Sequence, residues 1–210
     1  MDAIKRIFEN NRAWVRETMR QDPGFFQRML KGQSPNFLFI GCSDSRVPAN
    51  VITGTTGGEM FVHRNVANQA IPSDLNMLAV LQYAVDVLKV PHVVVCGHYG
   101  CGGVQAALEL PDGQHELVDQ WLGHIRQVRR RHHAELASLD AEAQARRLVE
   151  LNVIEQVQHL AMTSVVRAAR QRGQDLHLWG WVYSIGDGLL HTLEVNTAVD
   201  EVPELARVGA

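Results

Sequence analysis

No stretch of this 210-residue chain approaches the ~18 consecutive apolar residues that a membrane-spanning helix requires. A helical membrane protein is excluded, and no membrane partner is expected. Basic excess is missing too: 20 lysines and arginines stand against 23 aspartates and glutamates, a formal charge of −3, so neither nucleic acid nor an anionic surface is an expected partner. Cysteine is scarce, at three residues, Cys42, Cys96 and Cys101. An odd number argues against a disulfide framework, and Met1-Asp-Ala-Ile-Lys-Arg-Ile-Phe-Glu9 carries charges where a signal peptide is apolar. A cytoplasmic location follows, and thiolate chemistry becomes the better question.

What is present is ordinary for a globular enzyme: 46% hydrophobic and 20% charged residues, in a length that suits about one domain of ~150 residues with a helical elaboration. No repeat, low-complexity tract or linker divides it, so residues 1–210 read as one domain with 1–31 as a helical arm. Ile4, Ile7, Phe8, Trp14, Val15 and Met19 recur at helical spacing after a possible Asp2 cap, and Phe25 to Lys31 forms a second, short helical stretch. Asn36 to Gly41, Glu59 to His63 and Pro91 to Cys96 read as strands, the first and last as unbroken apolar runs suited to a parallel sheet covered on both faces. Helices are expected from a Ser73 cap through Leu88, from Glu116 to Arg131 and from Ala141 to Arg172, with Gly173 as terminator. Leu176 to Ser184 and Leu189 to Val195 suggest an antiparallel ribbon around Gly186-Asp-Gly188. The alternation predicts an α/β fold with a mainly parallel central sheet flanked by helices.

Ligands in such folds collect at the carboxyl ends of strands, and two of those ends carry unusual chemistry. In Gly41-Cys-Ser-Asp-Ser-Arg46, residues 42, 44 and 46 lie two apart, so an extended chain would point Cys42, Asp44 and Arg46 to one side. His98-Tyr-Gly-Cys101 adds an imidazole and a second thiol. A lone thiol or imidazole there is more often a buried or hydrogen-bonded side chain, but two cysteines, a histidine and an aspartate together are a sufficient tetrahedral set for Zn2+. Cys96, out of phase with the loop, reads as a core thiol. Arg46 bears on the kind of site: a bidentate pair would hold the Asp44 carboxylate away from the metal and make it exchangeable.

These residues resemble the β-class carbonic anhydrases, zinc enzymes that interconvert carbon dioxide and bicarbonate. Cys42-Ser-Asp-Ser-Arg46, Phe61-Val-His-Arg-Asn-Val-Ala-Asn68, Gln82-Tyr-Ala-Val85 and Gly97-His-Tyr-Gly-Cys-Gly-Gly103 carry the resemblance, with Gly180-Trp-Val-Tyr183 and Asp187-Gly188 extending it. It implies Cys42, His98 and Cys101 as constant zinc ligands and Asp44 with Arg46 as a gating dyad. The reaction it implies is carbon dioxide hydration by a zinc-bound hydroxide. It also implies a substrate pocket of Gln33, Phe61, Val66, Tyr83 and the backbone of Gly102. The bacterial branch it looks closest to is a homodimer or homotetramer whose N-terminal helices wrap a neighbouring subunit. That branch holds a regulatory bicarbonate on a tryptophan, an arginine and a tyrosine, which here match Phe39, Arg64 and Tyr183. Phe39 lacks the indole donor.

Alternatives on the same residues are hydrolysis of carbon disulfide or carbonyl sulfide, and a non-catalytic zinc module closed by four permanent ligands. Gly100-Cys-Gly102-Gly103 fails as a dinucleotide loop because Gln105 stands at the third glycine position. Gly54-Thr-Thr-Gly-Gly58 reads as a plain turn, and Arg126 to His133 as a solvated helix face or subunit contact.

Overall fold

The computed structural model describes residues 2–109, 116–195 and 197. The chain forms two compact units, Met1–Ser34 and Pro35–Ala210. In the first, Asp2 caps α1 (Ala3–Gln21) by accepting from the Ile4 amide at 3.1 Å. An Arg28–Asp22 ion pair closes the turn into α2 (Phe25–Met29), which ends short of the expected Lys31. Trp14 meets Phe25 and Phe26 edge-on, with ring centres 6.3 and 5.5 Å apart. No residue of either helix is buried.

The second unit is built on a five-stranded sheet of order β2-β1-β3-β4-β5: β1 (Phe37–Cys42), β2 (Met60–Asn65), β3 (His92–His98), β4 (His177–Ser184) and β5 (Leu189–Leu193). The first four run parallel, and β5 pairs antiparallel with β4 as the expected ribbon. The architecture is therefore the anticipated α/β fold. Alternation within β1 and β3 sends Leu38, Ile40, Val93 and Val95 into the larger core, and Phe39, Val94 and Cys96 to the opposite face. That opposite face is covered in part by a short helix the sequence did not signal, α3 (Ala49–Thr53), closed by Gly54 at a left-handed φ of 65°.

On the larger face lie α4 (Leu75–Gln82), α5 (Gly102–Glu109), α6 (Glu116–Arg131), α7 (His133–Ala137), α8 (Ala141–Met162) and α9 (Ser164–Gln171). Four expectations need correction. The cap of α4 is Asp74 rather than Ser73; its carboxylate accepts from the Asn76 amide at 3.0 Å. The helix then loosens into a π turn at Tyr83–Val87 instead of continuing evenly to Leu88. The single helix expected over 141–172 is two, because Thr163 is extended (ψ 148°) and caps α9 through its hydroxyl. Arg126 is not solvated: it is buried, and its guanidinium bonds the Asp119 carboxylate at 2.9 Å.

Helix α8 approaches β3 closely. A Cβ on Gly97 would lie 2.7 Å from Val153 Cγ2, and one on Gly41 would lie 2.4 Å from Phe39 Cε1. Glycine is required at both places by contact; overpacking of this kind typically costs about 1 to 3 kcal/mol. Each of these glycines immediately precedes a residue with metal-binding chemistry.

Candidate metal centre

Strands β1 and β3 are neighbours in register Gly41↔Cys96, so Cys42 leaves the sheet beside Gly97 and His98. The loop after β3 then turns at Gly100, whose φ of 71° favours glycine, and returns Cys101 to the same place. One ligand atom each from Cys42, His98 and Cys101 lie within 4.8 Å of one another, and all three residues are buried. The two sulfurs are 3.9 Å apart.

The donor chemistry fits zinc. His98 is 0% exposed, and its Nε2 has no hydrogen-bond partner among the described residues, a costly state for a buried ring nitrogen that a metal bond would relieve. Its Nδ1 lies 3.2 Å from the Tyr99 carbonyl, which fixes the tautomer that leaves Nε2 available to a metal. The Cys42 thiol is pulled down to about 4, chiefly by the hydrogen bond from Cys101, with His98 and the Asp44 and Ala67 amides adding to it against burial. Cys101 is pushed up by the same neighbour and by burial. The pair thus favours one thiolate, on Cys42, over two. Cys96 lies apart in the opposite core, its thiol pushed up to about 12 by burial, as expected of a core cysteine.

Asp44 and Arg46 come together, but not through extended chain. Residues 44–47 form a turn, with the Val47 amide on the Asp44 carbonyl at 3.0 Å and the Arg46 amide on Asp44 Oδ1 at 2.9 Å. That turn folds Arg46 back, and its Nε and Nη2 take Asp44 Oδ1 and Oδ2 at 3.0 and 2.6 Å. The Arg46 guanidinium holds the carboxyl well below the usual carboxylate range. Asp44 Oδ2 lies 3.8 Å from His98 Nε2, at the edge of the metal cluster and not within it.

Of the expected pocket residues, Phe61 and Tyr83 pack with ring centres 5.7 Å apart and planes inclined by 32°, Tyr83 being presented by the π turn and 45% exposed. Val66 is 42% exposed, in the 3-10 turn Val66–Asn68 that follows β2, and Gly102 opens α5. Gln33 is exposed and belongs to the N-terminal unit. Phe39 and Tyr183 share the opposite core. Arg64 is engaged with main chain: Nε donates to the Cys42 carbonyl at 2.8 Å and Nη2 to the Asp44 carbonyl at 2.6 Å. That tether of the ligand loop had no signal in the sequence beyond a basic residue at the end of a strand. Trp121 was likewise unsignalled, one apolar residue in a helix, yet its indole reaches the Val66 carbonyl.

Residues 37–190 match the family described as carbonic anhydrase. The carbonic anhydrase of Emericella nidulans is 48% identical over 192 residues, covering 91% of this chain and 83% of the relative. That of Pseudomonas aeruginosa is 37% identical over 198 residues, covering 88% and 86%. Among solved structures, a tetrameric β-carbonic anhydrase of Sordaria macrospora superposes with a TM-score of 0.87 at 37% identity, covering 92% of this chain and 98% of that one. The Coccomyxa β-carbonic anhydrase superposes at 0.89 with 38% identity, covering 92% and 87%. Fungal, algal and bacterial relatives stand side by side, and the similarity singles out no branch.

Proposed function

This chain belongs to the β-carbonic anhydrases, a family of carbonate dehydratases, and from that membership we propose that it converts carbon dioxide reversibly to bicarbonate and a proton with zinc held by Cys42, His98 and Cys101. The observation that carries this beyond a structural metal site is the bidentate hold of Arg46 on Asp44. A permanently closed site has no use for an arginine that draws the fourth ligand away.

Zinc, when bound, supplies the Lewis acidity that lets water give up a proton at moderate pH. Two thiolates offset its charge, so activity is expected to develop above neutrality. Asp44, kept off the metal by Arg46, accepts a hydrogen bond from the attacking oxygen and orients its lone pair toward carbon. The same carboxylate, 3.8 Å from His98 Nε2, would be able to serve as a further ligand if Arg46 released it, and would then shut the site. Phe61, Tyr83 and Val66 offer apolar surface to a small apolar substrate, and the Gly102 amide at the start of α5 offers a donor to the charge that grows on its oxygen. A homo-oligomer belongs to the same proposal, supported by the tetrameric Sordaria macrospora relative. So does a cytoplasmic setting, where free thiols stay reduced. Among the described residues no helix is long and apolar enough to cross a membrane.

The test is proton release from carbon dioxide, followed with an indicator dye at mildly alkaline pH. Protein carrying one zinc per chain should turn over carbon dioxide and leave carbon disulfide untouched. The uncatalysed rate from such protein would overturn the proposal.

Bicarbonate is expected to inhibit weakly through a second pocket. Phe39 brings no donor there, and Arg64 already spends two of its nitrogens on main-chain carbonyls. A missing hydrogen bond to a charged ligand weakens binding by roughly tenfold to a hundredfold. Titrating activity with bicarbonate at fixed pH and ionic strength should give simple product competition, and a steep, cooperative loss of activity would contradict it.

A further inference from the structure

His98 is bracketed in the chain by two residues that helix α8 holds. On one side is Gly97, where a Cβ would lie 2.7 Å from a Val153 methyl and 3.3 Å from a Val149 methyl. On the other is Tyr99, whose hydroxyl donates to Glu150 Oε1 at 2.8 Å and whose ring carries the Arg146 guanidinium 3.7 Å from its centre. Residues 146, 149, 150 and 153 are spaced three and four apart, so one stripe of α8 makes all four contacts.

Tyr99 is held at its main chain as well. Its amide donates to the Tyr183 carbonyl at 3.0 Å, and its carbonyl accepts from His98 Nδ1 at 3.2 Å. The next carbonyl, on Gly100, accepts from Arg46 Nη2 at 3.3 Å, which ties the far end of the segment. Glu150 is itself fixed, since its second oxygen takes Arg147 Nη1 at 2.8 Å and Arg147 Nε reaches on to Glu135 at 2.5 Å. A row of bonded side chains therefore runs from the exposed Glu135 on α7, through α8, to the residue whose carbonyl orients the His98 ring.

We propose that Glu150 and Tyr99 are positioning residues of the metal centre: the Glu150 carboxylate holds the Tyr99 hydroxyl, and Tyr99 so anchored keeps its carbonyl on His98 Nδ1, leaving Nε2 free for the metal. An acceptor on the far nitrogen of a ligating histidine fixes its tautomer and ring orientation, and losing such a partner typically weakens metal binding by about tenfold to a hundredfold. The inference rests on His98 being a ligand, as proposed above. It also gives a use to a phenol and a carboxylate that the hydration of carbon dioxide does not itself require.

The experiment is zinc affinity, measured by competition with a chromophoric chelator in the full-length protein, with unfolding temperatures read alongside. Tyr99→Phe removes one hydroxyl and keeps the ring beneath Arg146. It and Glu150→Leu should each bind zinc more weakly by about tenfold to a hundredfold. Combining them should add little, because both break the same link. A bond that merely held the fold together would lower the unfolding temperature of metal-free and zinc-bound protein alike and leave the affinity of the folded protein unchanged. Wild-type affinity in the folded single variants therefore overturns the proposal while leaving His98 as a ligand, and so do losses that sum fully in the double variant. Either single variant carries the test if the other does not fold. Wild-type affinity in His98→Ala would overturn the ligand assignment itself, and this inference with it.

Discussion

Cys42→Ser, His98→Ala and Cys101→Ser are each expected to be purified with no more than roughly a tenth of one zinc per chain, a loss at least as large as that seen when residues merely supporting a ligand are changed. Three protein ligands leave no redundancy, and a serine hydroxyl is harder and far less acidic than the thiol it replaces. The loss also removes what compensates the buried donors: without a cation, two thiols 3.9 Å apart and an unpartnered imidazole nitrogen face one another. Metal analysis of purified protein is the measurement, with Cys96→Ser as the control that keeps its zinc, since that thiol sits in the opposite core. One zinc per chain surviving in Cys101→Ser would strike that thiol from the ligand set.

Asp44→Ala and Arg46→Ala should behave differently, keeping zinc and losing turnover by about 10² to 10⁴-fold, the range that a positioned proton-handling group typically supplies. The two variants should also differ from each other. Asp44→Ala removes the group that orients the attacking oxygen, so the loss extends across the whole pH range. Arg46→Ala leaves the carboxylate but not its restraint; Asp44 then rises toward the ordinary carboxylate range and is free to close the metal. Its residual activity should recover as pH rises. Activity profiles over pH, run beside metal analysis, separate the two. Turnover near wild type in both variants at mildly alkaline pH would reduce the pair to a structural role.

The strands that build this site were legible because β1 and β3 are buried on both faces and their sequences say so without polar interruption. The cluster was legible because two thiols and an imidazole seldom gather at neighbouring strand ends except around a soft or borderline metal. What escaped was whatever depends on partners distant in sequence. Nothing local marks α3, a five-residue helix whose opening residue, Pro48, offers no side-chain cap. Arg126 lies in a run of basic residues, and only the fold shows that its own helix turns it inward onto Asp119. Thr163 broke a helix whose apolar periodicity continues across the break, because a threonine cap and a mid-helix threonine look alike until ψ is known. The Asp44 dyad was identified from correct residues for an incorrect geometric reason: a turn closed by the Asp44 side chain, not strand alternation, brings Arg46 back onto the carboxylate.

The placement of Gly41 and Gly97 bears on how portable this chemistry is. Someone wishing to transplant the centre into another parallel sheet could not do so by copying two short loops. The receiving strands would need the same stagger, since a slip of one residue sends Cys42 to the far face. They would also need a bare backbone one residue before Cys42 and one before His98, against an aromatic ring on one strand and a packed helix on the other. The smallest movable piece is therefore the paired strands β1 and β3 with the helix that lies across them, and loop grafts made without it should yield peptides that bind metal loosely or not at all.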